Sequence, residues 1–194
     1  MAALKNLKEL LLDTYEDIDG TPAFSGPLPP QWAAMTSLEM LWLTDMKFTG
    51  PLPAAWSGMK SLKDLSIGWN QLVGGVPASW KALTNLTTLR LHHNKLTGTV
   101  PKWIAQPNLK ILRINHNNFV GVLPQDIFNT PIEALTLHNT PALKGCIAKA
   151  MQERQGFRMG DPSGEIIELG KGTSHSLTPK QGPLANTTIS GWCA

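Results

Sequence analysis

The chain carries five histidines, and four of them, His92, His93, His116 and His138, stand close to Arg90 and Arg113 at related points of a recurring unit. Imidazole beside guanidinium suits carboxylate capture, proton transfer near neutral pH, or metal ligation. Trp42 and Trp69 occupy related points nearer the N-terminus, and Trp and Arg are the side chains that most often anchor protein interfaces. Ser, His and Asp are present, but no G-x-S-x-G elbow, H-E-x-x-H helix or phosphate loop occurs. The spacings that hydrolytic, zinc or phosphoryl chemistry needs are therefore missing, and the chain reads as non-catalytic with no cofactor. His93 with His116, or His92 with His138, lacks an obvious third ligand, so no metal site is assigned.

The unit that positions these residues repeats along the chain. Leu38-Glu39-Met40-Leu41-Trp42-Leu43 returns from Leu62, Leu86 and Leu109, at offsets of 24, 24 and 23 residues by subtraction. An earlier copy starts at Leu7 and a weaker one at Ile132, giving six copies of LxxLxLxxN. The Asn is present as Asn70, Asn94 and Asn117, and replaced by Tyr15, Met46 and Thr140 in the others. Alternation along a strand sends the Leu and Ile side chains inward and positions three, five and seven to the opposite face. Position five reads Leu11, Trp42, Ser66, Arg90, Arg113 and Thr136; position seven reads Asp13, Thr44, Gly68, His92, Asn115 and His138. Position eight, at the strand edge, reads Thr14, Asp45, Trp69, His93, His116 and Asn139.

The candidate ligand-binding face is therefore Trp42, Trp69, Arg90, His92, His93, Arg113, His116 and His138. Two readings stand: a partner-binding patch, or ordinary solvated residues on a variable face. Under the first, protonation of the imidazoles near their usual pKa of about 6.5 predicts tighter binding of an acidic partner in mild acid.

Each strand is followed by a Gly-x-(Leu/Val)-Pro segment around Gly26, Gly50, Gly74, Gly98 and Gly121, where Gly permits a turn and Pro stiffens the return path. Trp32, Trp56 and Trp80 lie three residues after Pro29, Pro53 and Pro77, a spacing that predicts one large apolar side chain per coil, stacked along the back. An insertion from Asp13 to Ala23 holds Glu16, Asp17 and Asp19; without EF-hand spacing it reads as a solvated loop rather than a calcium site.

Composition narrows the partners. The 194 residues are 42% hydrophobic and 16% charged with a net charge of +3, enough apolar surface for one core and far from a nucleic-acid-binding patch. No run of apolar residues is long enough to span a membrane, and the opening residues lack the layout of a signal peptide. Because the chain enters a repeat almost at once, it reads as a piece of a longer protein, with any signal, front cap or anchor outside it. Cys146 and Cys193 read as one disulfide closing the C-terminal segment, or as two reduced thiols. The expected organisation is a solenoid over 1–146 and a capping segment over 147–194, with a short helix over Ile147–Gln155. Asn85-Leu86-Thr87 and Asn186-Thr187-Thr188 match the glycosylation acceptor pattern.

LxxLxLxxN joined to Gly-x-(Leu/Val)-Pro and a following Trp resembles the plant-type class of leucine-rich repeats. The stretch from Ser25-Gly26-Pro27-Leu28-Pro29 through Trp32 and Met35 to Leu38 is similar to the promastigote surface antigens of Leishmania-type trypanosomatids. The likeness covers about Leu7 to Cys146. It implies an α/β-type repeat solenoid: a right-handed, curved leucine-rich-repeat coil with a parallel β-sheet on the concave face and a 3₁₀ or irregular convex side. It also implies an extracellular, often glycosylated, surface-anchored or released binding protein, monomeric, recognising a protein or glycan through its concave face in host–parasite contact. The chain departs from that family in lacking a hydrophobic C-terminal tail and in having only two cysteines. A plant-type receptor ectodomain, an enzyme-inhibitor repeat protein and a structural fragment without a site are the alternatives.

Overall fold

The structure, a computed structural model, describes residues 4–12, 24–154, 157–160, 166–168, 184–185 and 187–193. Chain order gives β1 (Glu9–Leu11), β2 (Ser25–Pro27), β3 (Met40–Trp42), β4 (Lys47–Pro51), β5 (Asp64–Ser66), β6 (Gln71–Gly74), β7 (Thr88–Arg90) and β8 (Lys95–Leu96). It continues with β9 (Ile111–Arg113), β10 (Val120–Val122), β11 (Ala134–Thr136), β12 (Thr140–Ile147), β13 (Arg158–Gly160), β14 (Ile166–Glu168) and β15 (Thr187–Trp192).

The LxxLxL runs form the rungs of an eight-stranded sheet in the order β1-β3-β5-β7-β9-β11-β13-β14. Like pairs with like: Leu10 with Leu41, Leu41 with Leu65, Leu65 with Leu89, Leu89 with Leu112, and Leu112 with Leu135, all in parallel register. From Leu41 on, these leucines are completely buried or nearly so. A strand shifted by one residue would turn every leucine outward, so the apolar alternation itself fixes the register. The sheet outruns the six copies read from the sequence, because Arg158–Gly160 adds a parallel rung and Ile166–Glu168 closes the edge antiparallel to it.

The Gly-x-(Leu/Val)-Pro segments do more than turn. They build a four-stranded sheet, β2-β4-β6-β8, and a three-stranded one, β10-β12-β15, so much of the side read as irregular is ordered. Gly26, Gly50, Gly74, Gly98 and Gly121 have φ between 75° and 87° there, a backbone that glycine adopts without strain. Five 3₁₀ turns follow, each opening just after a proline: Pro30–Ala34, Ala54–Gly58, Ala78–Ala82, Lys102–Ile104 and Gln125–Asn129. The helix expected over 147–155 is a single 3₁₀ turn, Lys149–Gln152.

On this back Trp32, Trp56 and Trp80 stack at centroid separations of 6.1 and 6.2 Å with rings within 7° of parallel. Trp56 and Trp80 each donate Nε1–H to the carbonyl of a proline one coil earlier, Pro29 and Pro53, at 3.0 Å. In the next coil the spacing shortens, Ile104 takes the buried place, and the Nε1 of Trp103 is buried without a partner among the described residues.

Inside the turn leaving each main rung, Asn70, Asn94 and Asn117 act as pegs. Asn94 donates Nδ2–H to the carbonyls of Ile67, Leu91 and His92, while its Oδ1 accepts from the Leu72 N–H at 3.0 Å. Asn70 and Asn117 repeat the pattern. Buried backbone groups must find partners, and an amide carries both a donor and an acceptor for two coils at once.

Beyond the last full copy, Cys146 and Cys193 form a disulfide that ties β15 to the end of β12. Arg154 donates to the carbonyls of Phe128, Thr130 and Ile132. Among the described residues no helix is long and apolar enough to cross a membrane. The insertion with Glu16, Asp17 and Asp19, and Asn186, lie outside the described residues.

Candidate functional site

Along the concave face the position-five side chains line up strand to strand, Trp42 beside Ser66, Ser66 beside Arg90, Arg90 beside Arg113 and Arg113 beside Thr136. Asp64, at position three of β5, accepts from Trp42 Nε1–H at 3.0 Å and from Arg90 Nη1–H at 3.0 and 3.2 Å. The half-buried Arg90 is thus neutralised and the Trp42 indole N–H is held. Asp64 is the functional neighbour that the sequence reading missed; the signal for it is an acid at position three beside cations at position five of the next rung.

Arg113 differs. Among the described residues no carboxylate or carbonyl pairs with its guanidinium, and its Nε is buried without a hydrogen-bond partner. Burial, and then repulsion from Arg90, hold its pKa below the usual arginine range. A partly desolvated cation with open donors is a ready receptor for a carboxylate.

The position-seven row is the floor. The His92 ring lies on the Gly68 backbone so closely that a Cβ at Gly68 would meet its Cε1 at 2.5 Å. Burial first, then Arg113, His93, Arg90 and His116, push the His92 pKa down to about 4, and its buried Nδ1 has no partner among the described residues. His138 is corrected from an open ligand position to a structural one: it is 4% exposed and covered by β13. Its Nδ1 lies 3.0 Å from the Gly160 carbonyl, which places the proton there, and its Nε2 accepts from Asn115 Nδ2 at 3.1 Å. Asn115 Oδ1 in turn accepts from Thr136 Oγ1 at 2.7 Å.

Position eight forms the rim. Asp45, Trp69, His93, His116 and Asn139 all adopt φ of 51–59°, the left-handed region that costs a side chain about 1–2 kcal/mol. One repeated backbone conformation aims all five side chains alike. Trp69 stacks on His93 at 3.6 Å and His93 on His116 at 3.8 Å, making a column of three rings. Asn139 Nδ2 reaches the His116 ring at 2.9 Å from Nε2. Beside the column runs a groove of about 390 Å³ lined by Met46, Trp69, Gln71, His93, Lys95 and His116 together with the pegs Asn70 and Asn94.

Burial, with repulsion from His116 and His138, lowers the His93 pKa to about 4, and burial also lowers that of His116. His92 and His93 therefore stay neutral through mild acid, so the tightening towards an acidic partner near pH 6 does not follow from protonation of these two rings. The fixed cation, Arg113, carries the positive charge. Among the described residues no three His, Cys, Asp or Glu side chains gather to hold a metal. Asn85 is exposed on the turn side, donating Nδ2–H to the Lys60 carbonyl at 2.8 Å.

The family model described as Leucine Rich Repeat matches residues 85–106 and 108–130. A search among curated proteins finds no match. Among solved structures, a TDR receptor is 40% identical, with a TM-score of 0.61 over 63% of this chain and 22% of that one. A plant ice-binding protein is 26% identical, with a TM-score of 0.64 over 71% of this chain and 44% of the other. The ectodomain of the Arabidopsis receptor kinase HAESA, solved with a peptide hormone ligand, is 24% identical, with a TM-score of 0.66 over 79% and 24%. This chain spans less than half the length of each. These comparisons lend no support to the likeness to trypanosomatid surface antigens, whereas the plant-type repeat pattern agrees with them. The chain folds as a leucine-rich-repeat solenoid, the fold of the receptor ectodomains it resembles.

Proposed function

We propose that this chain is the binding module of an extracellular leucine-rich-repeat protein, and that it recognises a peptide or protein partner on its concave face. The observation that carries this reading is Arg113, a half-buried guanidinium with no partner among the described residues, set in a row whose other cation, Arg90, is already matched by Asp64. Leaving a charged donor unpaired in a folded protein is costly unless a ligand completes it. The rigid sheet needs little ordering to bind. Receptor ectodomains of the same fold, HAESA among them, hold peptide ligands, which fits an extended chain carrying a carboxylate over Arg113. Trp42, Trp69, Arg90, His92, His93 and His116 then supply walls and shape, with His138 beneath them. The module acts as a monomer, and Asn85 is positioned on the exposed turn side for a glycan.

The test is capture on arrays of acidic peptides, basic peptides and glycans, repeated with Arg113→Met. A carboxylate-bearing peptide should be retained by the wild type and bound about tenfold or more weakly by the variant, the usual consequence of losing a charged hydrogen bond. Capture that ignores the substitution, or capture of glycans alone, overturns the reading.

A further inference from the structure

The ring column is unfinished at one end. His93 covers one face of the Trp69 indole, among the described residues no ring covers the other, and Trp69 is 50% exposed. The next side chain in line is Asp45, which shares the left-handed backbone of Trp69 and so points the same way one rung earlier. A carboxylate reaches less far from the backbone than an indole. Trp69 lines the groove together with Met46, and the exposed Asp45 stands one rung, about 4.8 Å, from it along the rim.

Two further observations say what this corner suits. Asp45 forms no ion pair among the described residues, and Lys47, two positions on and exposed, does not reach it. Lys95, the cation of the groove wall, belongs to the His93 rung rather than to that of Asp45. The indole is also electrostatically unclaimed, because the His93 ring behind it is neutral above about pH 4. An electron-rich face with a carboxylate one rung away attracts a flat cation, and among side chains a guanidinium both stacks and hydrogen-bonds.

We propose that the Trp69 face and the Asp45 carboxylate form a subsite for an arginine side chain of the partner. This deepens, and rests on, the reading of the concave face as a peptide-binding surface. It gives the ligand a polarity. Rungs lie about 4.8 Å apart, so this subsite stands on the order of 12 Å from Arg113 across the ladder and about 10 Å along the strands, on the order of 16 Å in all. An extended peptide covers that in about five residues, so the favoured partner carries an arginine and, some five residues away, a carboxylate.

The experiment uses the indole N–H resonance of Trp69, assigned by its loss in Trp69→Asn. Asn is chosen because Asn139 already occupies the same backbone conformation, so the fold is retained; Asp45→Asn is safe for the same reason. The probe is N-acetyl-arginine N-methylamide, whose only charge is the guanidinium, compared with its uncharged citrulline counterpart and with a methyl mannoside. A saturable shift with millimolar arginine probe, at least fivefold weaker with citrulline and severalfold weaker in Asp45→Asn, is the expected result. Equal shifts with citrulline or the mannoside, or indifference to Asp45→Asn, overturn the proposal. Arg113→Met should leave this titration unchanged. If acidic peptides are captured while the arginine probe is silent, only this subsite falls; if neither is bound, the concave-face reading falls with it.

Discussion

Arg113 and His92 are held in strained electrostatic company, and each makes a measurable demand on stability. Replacing Arg113 by Met keeps the apolar stem and removes a half-buried charge that repels Arg90. Arg113→Met should therefore raise stability by about 1 kcal/mol in chemical denaturation while weakening capture of acidic peptides about tenfold or more, a division expected of a residue kept for binding. The imidazoles act through pH. His92 and His93 are lowered from 6.5 to about 4 in the folded chain, so between those values the unfolded chain binds protons that the folded one does not. Their contribution is complete above pH 6.5 and is lost as pH falls towards 4; denaturation midpoints should decline across that window. Acidic-peptide affinity, by contrast, should stay level between about pH 7.5 and 5.5, since neither ring gains charge there.

At the scale of the element, the pegs are the most exacting positions. Asn94→Ala leaves the Leu72 N–H without its acceptor and takes one donor from the carbonyls of Ile67, Leu91 and His92, which keep those of Asn70, Asn117 and the Trp69 N–H, and should cost about 2 kcal/mol. Asn94→Thr should cost less, because Thr140 already serves at the equivalent point by donating its hydroxyl to the Leu137 carbonyl. Melting curves of the two variants rank them. This ladder was legible in the sequence, since leucine spacing, peg asparagines and back-face tryptophans are each set by local periodicity. Other features were not. Asp64 serves Trp42 and Arg90 from two flanking rungs, a juxtaposition that appears only once neighbouring coils are laid side by side. His138 read as an open ligand because Arg158-Met159-Gly160, the strand that covers it, lacks the leucine spacing of a repeat. The second sheet was hidden in segments whose Gly and Pro read as turns, although glycine at positive φ sits within their short strands.

For the whole molecule, order depends on each coil having a neighbour, and the C-terminal end is closed by means other than another copy. Arg154 spans three carbonyls at and just beyond the end of the Gln125–Asn129 turn. Arg154→Met should lower stability by about 2 kcal/mol, and hydrogen exchange should show β11 and β13 losing protection before β5 and β7, as expected where stability is summed coil by coil. The same additivity makes the molecule a ruler. The side-chain bonds that join one coil to the next, from Trp56 to Pro29 or from Asn94 to Ile67, link residues 27 apart, so a coil senses its immediate neighbours and not the length of the stack. Duplicating the 24-residue stretch from Leu62 to Asn85 and grafting it in frame would add one graduation of about 4.8 Å. Placed after Asn85, it would repeat Trp69 on the added rung and carry the Asp45–Trp69 corner one rung further from Arg113, so the peptide that fits both marks would lengthen by one or two residues.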